Sequence, residues 1–313
     1  MQQHRTRIIV LCTLFVGLTV WSYWTTLAVM ADLWTRKPEY SHGWLVPLLA
    51  FYLLWEGIKS LQKDRRMPPE ESFSPSWWGL PVLAVSLGLR VFAAHYYMEW
   101  FDFLSIIPFV AGLTLLIGGW GAIRVAWAPI AYLFFMIPLP YTAEVMLRGP
   151  LREVGTIAST YAMQTLGLPA FAEGTVVVVN DVRIGVVEAC SGLRMLMIFF
   201  ALSTAVALLC RRPLWHRAII VLSAAPIALI ANITRITTTG LLYALGYDQL
   251  AEVVFHDLAG WLMMPFALVL LGAEVWFLDN LFIVEKKIPL SVGLHNTSDT
   301  PQAGRPDSPQ PAT

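Results

Sequence analysis

The stretch "VVEACSGLRMLMIFF", residues 186–200, sets a glutamate, a cysteine, a serine, a glycine and an arginine before a strongly apolar run. Cys190 stands where a helix should start, with Ser191 and Gly192 as capping residues. The positive end of that helix and the nearby Arg194 both favour thiolate over thiol, which is the nucleophilic form. Glu188 opposes the shift unless it is paired, and Arg194 is a candidate partner. Cys12 and Cys210 lie inside or at the end of apolar runs, where cysteine behaves as a small hydrophobe.

A thiolate that attacks a carbonyl needs a proton carrier and a group that stabilises the oxyanion. Both types occur downstream. Asn232 and Arg235 interrupt the apolar segment "HRAIIVLSAAPIALIANITRITTTGLLYALGY", three residues apart and therefore on one helix face. Counting about 1.5 Å per residue from Arg217, Arg235 lies roughly 27 Å along that helix, near the far boundary of a bilayer. An arginine there can snorkel to the interface, but snorkelling does not call for the asparagine beside it. His256, in "VVFHDLAGWLMMPF", precedes the next apolar run.

The elements that must position these groups follow from hydropathy. The chain has 313 residues, of which 57% are hydrophobic and 13% charged. Soluble domains carry about twice that charged fraction. Apolar windows fall at 8–30, 44–58, 77–96, 101–120, 122–138, 192–210, 216–245 and 257–280, which predicts an all-α polytopic membrane protein with about eight transmembrane helices. The first window lacks a small-residue cleavage site and reads as a retained span. Arg5, Arg7, Lys59, Lys63, Arg65, Arg66, Arg124, Arg211, Arg212, Arg217, Lys286 and Lys287 then share one side, which is cytoplasmic with both termini inside. Arg36, Lys37, Arg148, Arg152 and Arg183 are exceptions on the other side. Cys190, Arg235 and His256, from three spans, converge on that outer face.

Between the fifth and sixth windows, "IPLPYTAEVMLRGPLREVGTIASTYAMQTLG" has apolar residues at helical spacing among charges, which predicts an amphipathic helix at the interface. "AEGTVVVVNDVRIGVVEAC" follows, and its two Val/Ile-rich runs flanking Asn180-Asp181 predict a small extracytoplasmic β-hairpin leading into Cys190. Residues 1–283 form the transmembrane domain, and the Pro-, Ser- and Thr-rich 284–313 reads as a disordered cytoplasmic tail. The zero formal net charge and the lack of a basic groove argue against nucleic acid. No cysteine or histidine spacing suits a metal, and no glycine pattern suits a nucleotide, so no cofactor is expected.

The chain resembles the exosortase/archaeosortase family. The resemblance is carried by "EACSGLR" at 188–194, the N-x-x-R at 232–235, and His256, in the family's order on successive spans. "YSHGWLVP" at 40–47, "IPLPY" at 137–141 and "EGTVV" add to it, and it extends over residues 8–280. It implies an integral inner-membrane cysteine protease or transpeptidase, active on the extracytoplasmic side, without metal or other cofactor. Its partners would be membrane lipids and exported proteins whose C-terminal sorting signals join a Pro-Glu-Pro-like motif, a spanning helix and a basic tail, with a link to surface polysaccharide. On the same resemblance Cys190 is the nucleophile, His256 the proton-transfer residue and Arg235 the oxyanion stabiliser. Glu188, Arg194, Asn232, Ser41 and His42 support or bind substrate. Whether water, a lipid or a glycan accepts the acyl group is left open. A polytopic transporter and a lipid-linked glycan ligase are the competing readings, though the inverted repeats that mark many transporters are not evident.

Overall fold

The computed structural model describes residues 15–63, 73–180, 182–185, 192–210, 212–256 and 263–281. Helix α1 (Trp24–Arg36) continues a helical stretch over residues 15–22 and leads through a 3-10 segment, Pro38–Trp44, into α2 (Leu45–Lys63). Next come α3 (Gly79–Tyr96) and α4 (Glu99–Tyr132), the latter ending in a 3-10 turn, Leu133–Met136. Helix α5 (Tyr141–Thr165) precedes strands β1 (Ala170–Glu173), β2 (Val176–Val179) and β3 (Val182–Gly185). Helices α6 (Leu193–Leu209), α7 (Leu214–Leu222), α8 (Ala224–Ala244), α9 (Asp248–His256) and α10 (Met263–Leu281) complete the order.

Helix α3 shows why this sequence belongs in lipid. Its buried residues are Gly79, Ser86 and Ala93, one small residue every seventh position, while Val85, Leu87 and Val91 are exposed. A soluble helix does the reverse. In a bilayer large apolar side chains lose nothing by facing out, and small residues let backbones approach. A Cβ on Gly79 would come to 2.5 Å from the Gly112 carbonyl oxygen of α4, so the two helices touch along their backbones.

Polar groups on the same helices tie the bundle. The Tyr23 hydroxyl lies 2.8 Å from Ser86 Oγ and 2.9 Å from Ser105 Oγ. Arg90 donates through Nε to Asp102 Oδ1 at 3.0 Å and through Nη1 to the Ser22 carbonyl at 2.8 Å. Thr26 Oγ1 donates to the other Asp102 oxygen at 2.6 Å. An ionised group at bilayer depth costs at least about 2.5–3.5 kcal/mol, and this pairing offsets much of that.

Among the described residues four helical stretches are long and apolar enough to cross a membrane, namely Pro38–Lys63, Gly79–Tyr96, Glu99–Met136 and Leu214–Ala244, and Leu193–Leu209 and Leu268–Leu278 are shorter apolar helices. The expected count of eight spans is not confirmed among these residues. The windows 101–120 and 122–138 fall within one stretch of 38 residues, about 57 Å if straight, against a hydrocarbon thickness of about 30 Å. It is broken at Gly119, whose φ of 64° and ψ of −161° are not helical. Glycine adopts that conformation without a Cβ penalty.

The expected hairpin is a three-stranded antiparallel sheet in the order β1-β2-β3. Val179 pairs with Val182 across Asn180-Asp181, and Asn180 has the positive φ (45°) that such two-residue turns favour. The additional strand, "AFAE", is too short for alternation to mark it. Val177, Val179 and Ile184 are buried with Met163 of α5 and Ile236 of α8, so the sheet packs onto both helices.

Candidate active site

Helix α8 buries Ala224, Ile227, Ala228, Ala231, Asn232, Arg235, Ile236, Thr239 and Gly240. These recur at intervals of three and four, the stripe of a helix that faces a core. Asn232 and Arg235 thus occupy the apolar stripe itself, at 1% and 6% exposure. That burial decides against snorkelling, which requires the guanidinium to reach water.

Two glycines admit the asparagine. A Cβ on Gly155 of α5 would lie 3.2 Å from Asn232 Nδ2, and one on Gly192 would lie 3.3 Å from the same atom. Gly192 is the N-cap of α6 with φ 71°, and its carbonyl accepts from Leu196 N at 2.9 Å. Three helices therefore meet at one amide: α5 through Gly155, α8 through Asn232, and the start of α6 through Gly192. The first α6 amides carry the partial positive charge of a helix start to this junction. Arg194 lies in the same first turn and is half-buried.

Glu188, Cys190 and Ser191 lie outside the described residues. His256 ends α9, a helix whose Ala251 is fully buried, and its side chain also lies outside the description.

Ser41 and His42 are engaged elsewhere. Ser41 Oγ donates to the Pro38 carbonyl at 2.9 Å. The His42 ring is held between the carbonyls of Glu39 and Phe135, at 3.1 Å from each. His42 also borders an apolar cavity of about 150 Å³ with Leu45, Val46, Tyr132 and Phe199. Both residues fix the join between α1 and α2, and no described contact brings either to Asn232 or Arg235.

A second polar centre escaped the sequence reading. Glu144, 7% exposed, accepts from the Tyr40 hydroxyl at 2.9 Å and from Arg148 Nη2 at 2.5 Å. Arg148 Nη2 also reaches Glu39 Oε1 at 3.1 Å, and Lys37 Nζ lies 3.9 Å from Glu144. The i,i+4 spacing of Glu144 and Arg148 was a visible signal, but the partners 104 and 109 residues away were not. Most of the cations expected on the outer side have a carboxylate partner, two of them in this centre. Arg36 pairs with Asp32, Arg183 with Glu173, and Lys37 and Arg148 with this cluster.

The profile of the transmembrane exosortases matches residues 34–273, the greater part of the chain. Comparison with curated proteins and with solved structures finds no match. The chain belongs to the transmembrane exosortase family. It is accordingly a multi-pass membrane protein of a family of cysteine peptidases and transpeptidases that process the sorting signals of exported proteins.

Proposed function

We propose that this protein cleaves the C-terminal sorting signal of exported proteins at the extracytoplasmic face of the inner membrane, with Cys190, His256 and Arg235 as its catalytic residues. The observation that carries this reading is the burial of Arg235 beside Asn232, whose amide abuts Gly192. Cys190 is two residues before Gly192, and covalent geometry keeps their Cα atoms within about 7 Å.

In the proposed reaction the Cys190 thiolate attacks the scissile carbonyl carbon and forms a tetrahedral oxyanion. Arg235 faces that charge from a site poor in water, where a fixed donor is worth most. As the intermediate collapses, the C–N bond breaks and the His256 imidazolium gives its proton to the leaving amine. A thioester on Cys190 is left. His256, now neutral, takes a proton from water or from a hydroxyl or amine acceptor, which attacks the thioester, expels the Cys190 thiolate and leaves His256 an imidazolium again. Arg194 and the α6 amides favour the thiolate, Asn232 fixes α8 against the start of α6, and Glu188 is a supporting residue.

About eight passes belong to this reading. The break at Gly119 divides Glu99–Met136 into two stretches, each near the roughly 30 Å of a hydrocarbon core. Both termini are then cytoplasmic, and the sheet lies outside.

A reporter ending in a Pro-Glu-Pro motif, an apolar helix and a basic tail tests the proposal when expressed with this protein. It should be shortened by the wild type and stay full-length with Cys190→Ala at equal membrane abundance. Equal shortening by both would end the thiol mechanism.

A further inference from the structure

Among the outer-side cations Arg152 differs from the rest. No carboxylate of the described residues lies within ion-pair distance of it, whereas Arg36, Lys37, Arg148 and Arg183 each have one. It does not simply extend into solvent either. The residue is half-buried, and its Nε is inaccessible to water with no hydrogen-bond partner among the described residues. Arg148 Nε is in the same state, but the Arg148 guanidinium has carboxylates beside it, whereas that of Arg152 has none among the described residues.

Its place on α5 says what it faces. At about 100° per residue, Glu144, Arg148, Arg152, Gly155 and Ser159 fall within an arc of about 80°. Glu144, Gly155 and Ser159 on that arc are buried, and Gly155 is the contact with Asn232. Arg152 is one turn, about 4.5 Å of rise, from Gly155. Glu153, the adjacent carboxylate on α5, is exposed. In the cluster at this end of the helix, Lys37 and Arg148 pair with Glu39 and Glu144, so its charges balance without Arg152.

We propose that Arg152 is a specificity residue that receives the carboxylate of an acidic side chain in the substrate peptide, beside the bond to be cut. A guanidinium binds a carboxylate through two parallel N–H donors, which fixes orientation as well as charge. Peptide binding thereby gives the Arg152 guanidinium the counter-charge that it lacks among the described residues. The inference rests on the peptide-processing reading of the neighbouring site.

The test uses the full-length protein in membranes with the Pro-Glu-Pro reporter and its Pro-Gln-Pro and Pro-Lys-Pro variants. With the wild type, the Gln reporter should be processed on the order of tenfold to a hundredfold less efficiently, through KM more than kcat. Arg152→Gln should show the same loss on the Glu reporter and no further loss on the Gln reporter. Arg152→Glu should prefer the Lys reporter. If the losses from enzyme and reporter multiply independently, or if Arg152→Gln lowers processing of all three equally, the assignment fails. It fails as well if Glu188→Gln reproduces the Arg152→Gln profile, because the arginine's partner is then internal. A wild type that processes no reporter refutes the peptide-processing reading instead, so the two failures are distinguishable.

Discussion

The Nδ2 of Asn232 occupies the space that a Cβ on Gly192 would approach to 3.3 Å, which locks the middle of α8 against the first turn of α6. Gly192→Ala meets two obstacles, the crowded amide and a φ of 71° that L-residues adopt at a cost of about 1–2 kcal/mol. Gly155→Ala meets only the crowding, at 3.2 Å. Processing should therefore fall further for Gly192→Ala than for Gly155→Ala, and Asn232→Ala should rescue the second substitution but not the first. Thermal unfolding and reporter cleavage on the same preparations check this order, and equal rescue of both would contradict it.

Cysteine substitutions separate chemistry from packing. Cys190→Ala and Cys190→Ser should abolish reporter processing while membrane abundance holds. Cys210, half-buried at the C-cap of α6, should tolerate alanine with most activity retained, as should Cys12. Pulse-labelling with reporter immunoblots reads both quantities together, and ordinary processing by Cys190→Ala removes the nucleophile.

Arg235→Lys keeps the charge and loses the planar fork. An oxyanion donor lost in this way costs about 3 kcal/mol, roughly a hundredfold in rate. Single-turnover rates in detergent, compared with the melting temperature of the same sample, measure it. His256→Ala should stop turnover, since the leaving amine then lacks its proton donor. A wild-type rate for Arg235→Lys at wild-type stability would remove Arg235 from the chemistry.

The Glu144 centre is expected to carry stability more than catalysis. Tyr40→Phe removes one hydrogen bond to a buried carboxylate and should cost about 1.5–3 kcal/mol. Arg148→Ala leaves Glu144 and Glu39 facing each other and should cost about 3–5 kcal/mol. Arg148→Ala with Glu144→Ala should recover part of that loss. Denaturation midpoints for the double-mutant cycle show the coupling, and strict additivity would mean that the pair does not interact.

Topology is open to reporter fusions along the chain. Fusions after residues 63 and 285 should report cytoplasm, and fusions within 141–180 should report the outer side. A cytoplasmic signal from that middle segment would overturn the placement of the whole site.

Much of this was written in local sequence. The apolar windows gave the helices, because a spanning helix is specified by length and composition alone. Asn232 and Arg235 were legible as a pair because three residues of helix put them on one face. Asn180 marked its turn through the positive φ that few residue types accept. Tertiary structure decided what depends on distant partners. Whether Arg235 reaches water or is buried rests on α5, α6 and the sheet, and no periodicity in α8 encodes them. The pairing of Arg148 with Glu39 joins residues 109 apart, and only folding brings them to 3.1 Å. Strand β1 acquires its identity from β2 beside it, since four residues hold too little alternation to declare a strand. Gly155 and Gly192 read as ordinary glycines until the packing of α8 supplies the amide that requires them. Local sequence fixes helices through bonds within one segment, whereas a site is made of contacts whose partners the chain itself leaves far apart.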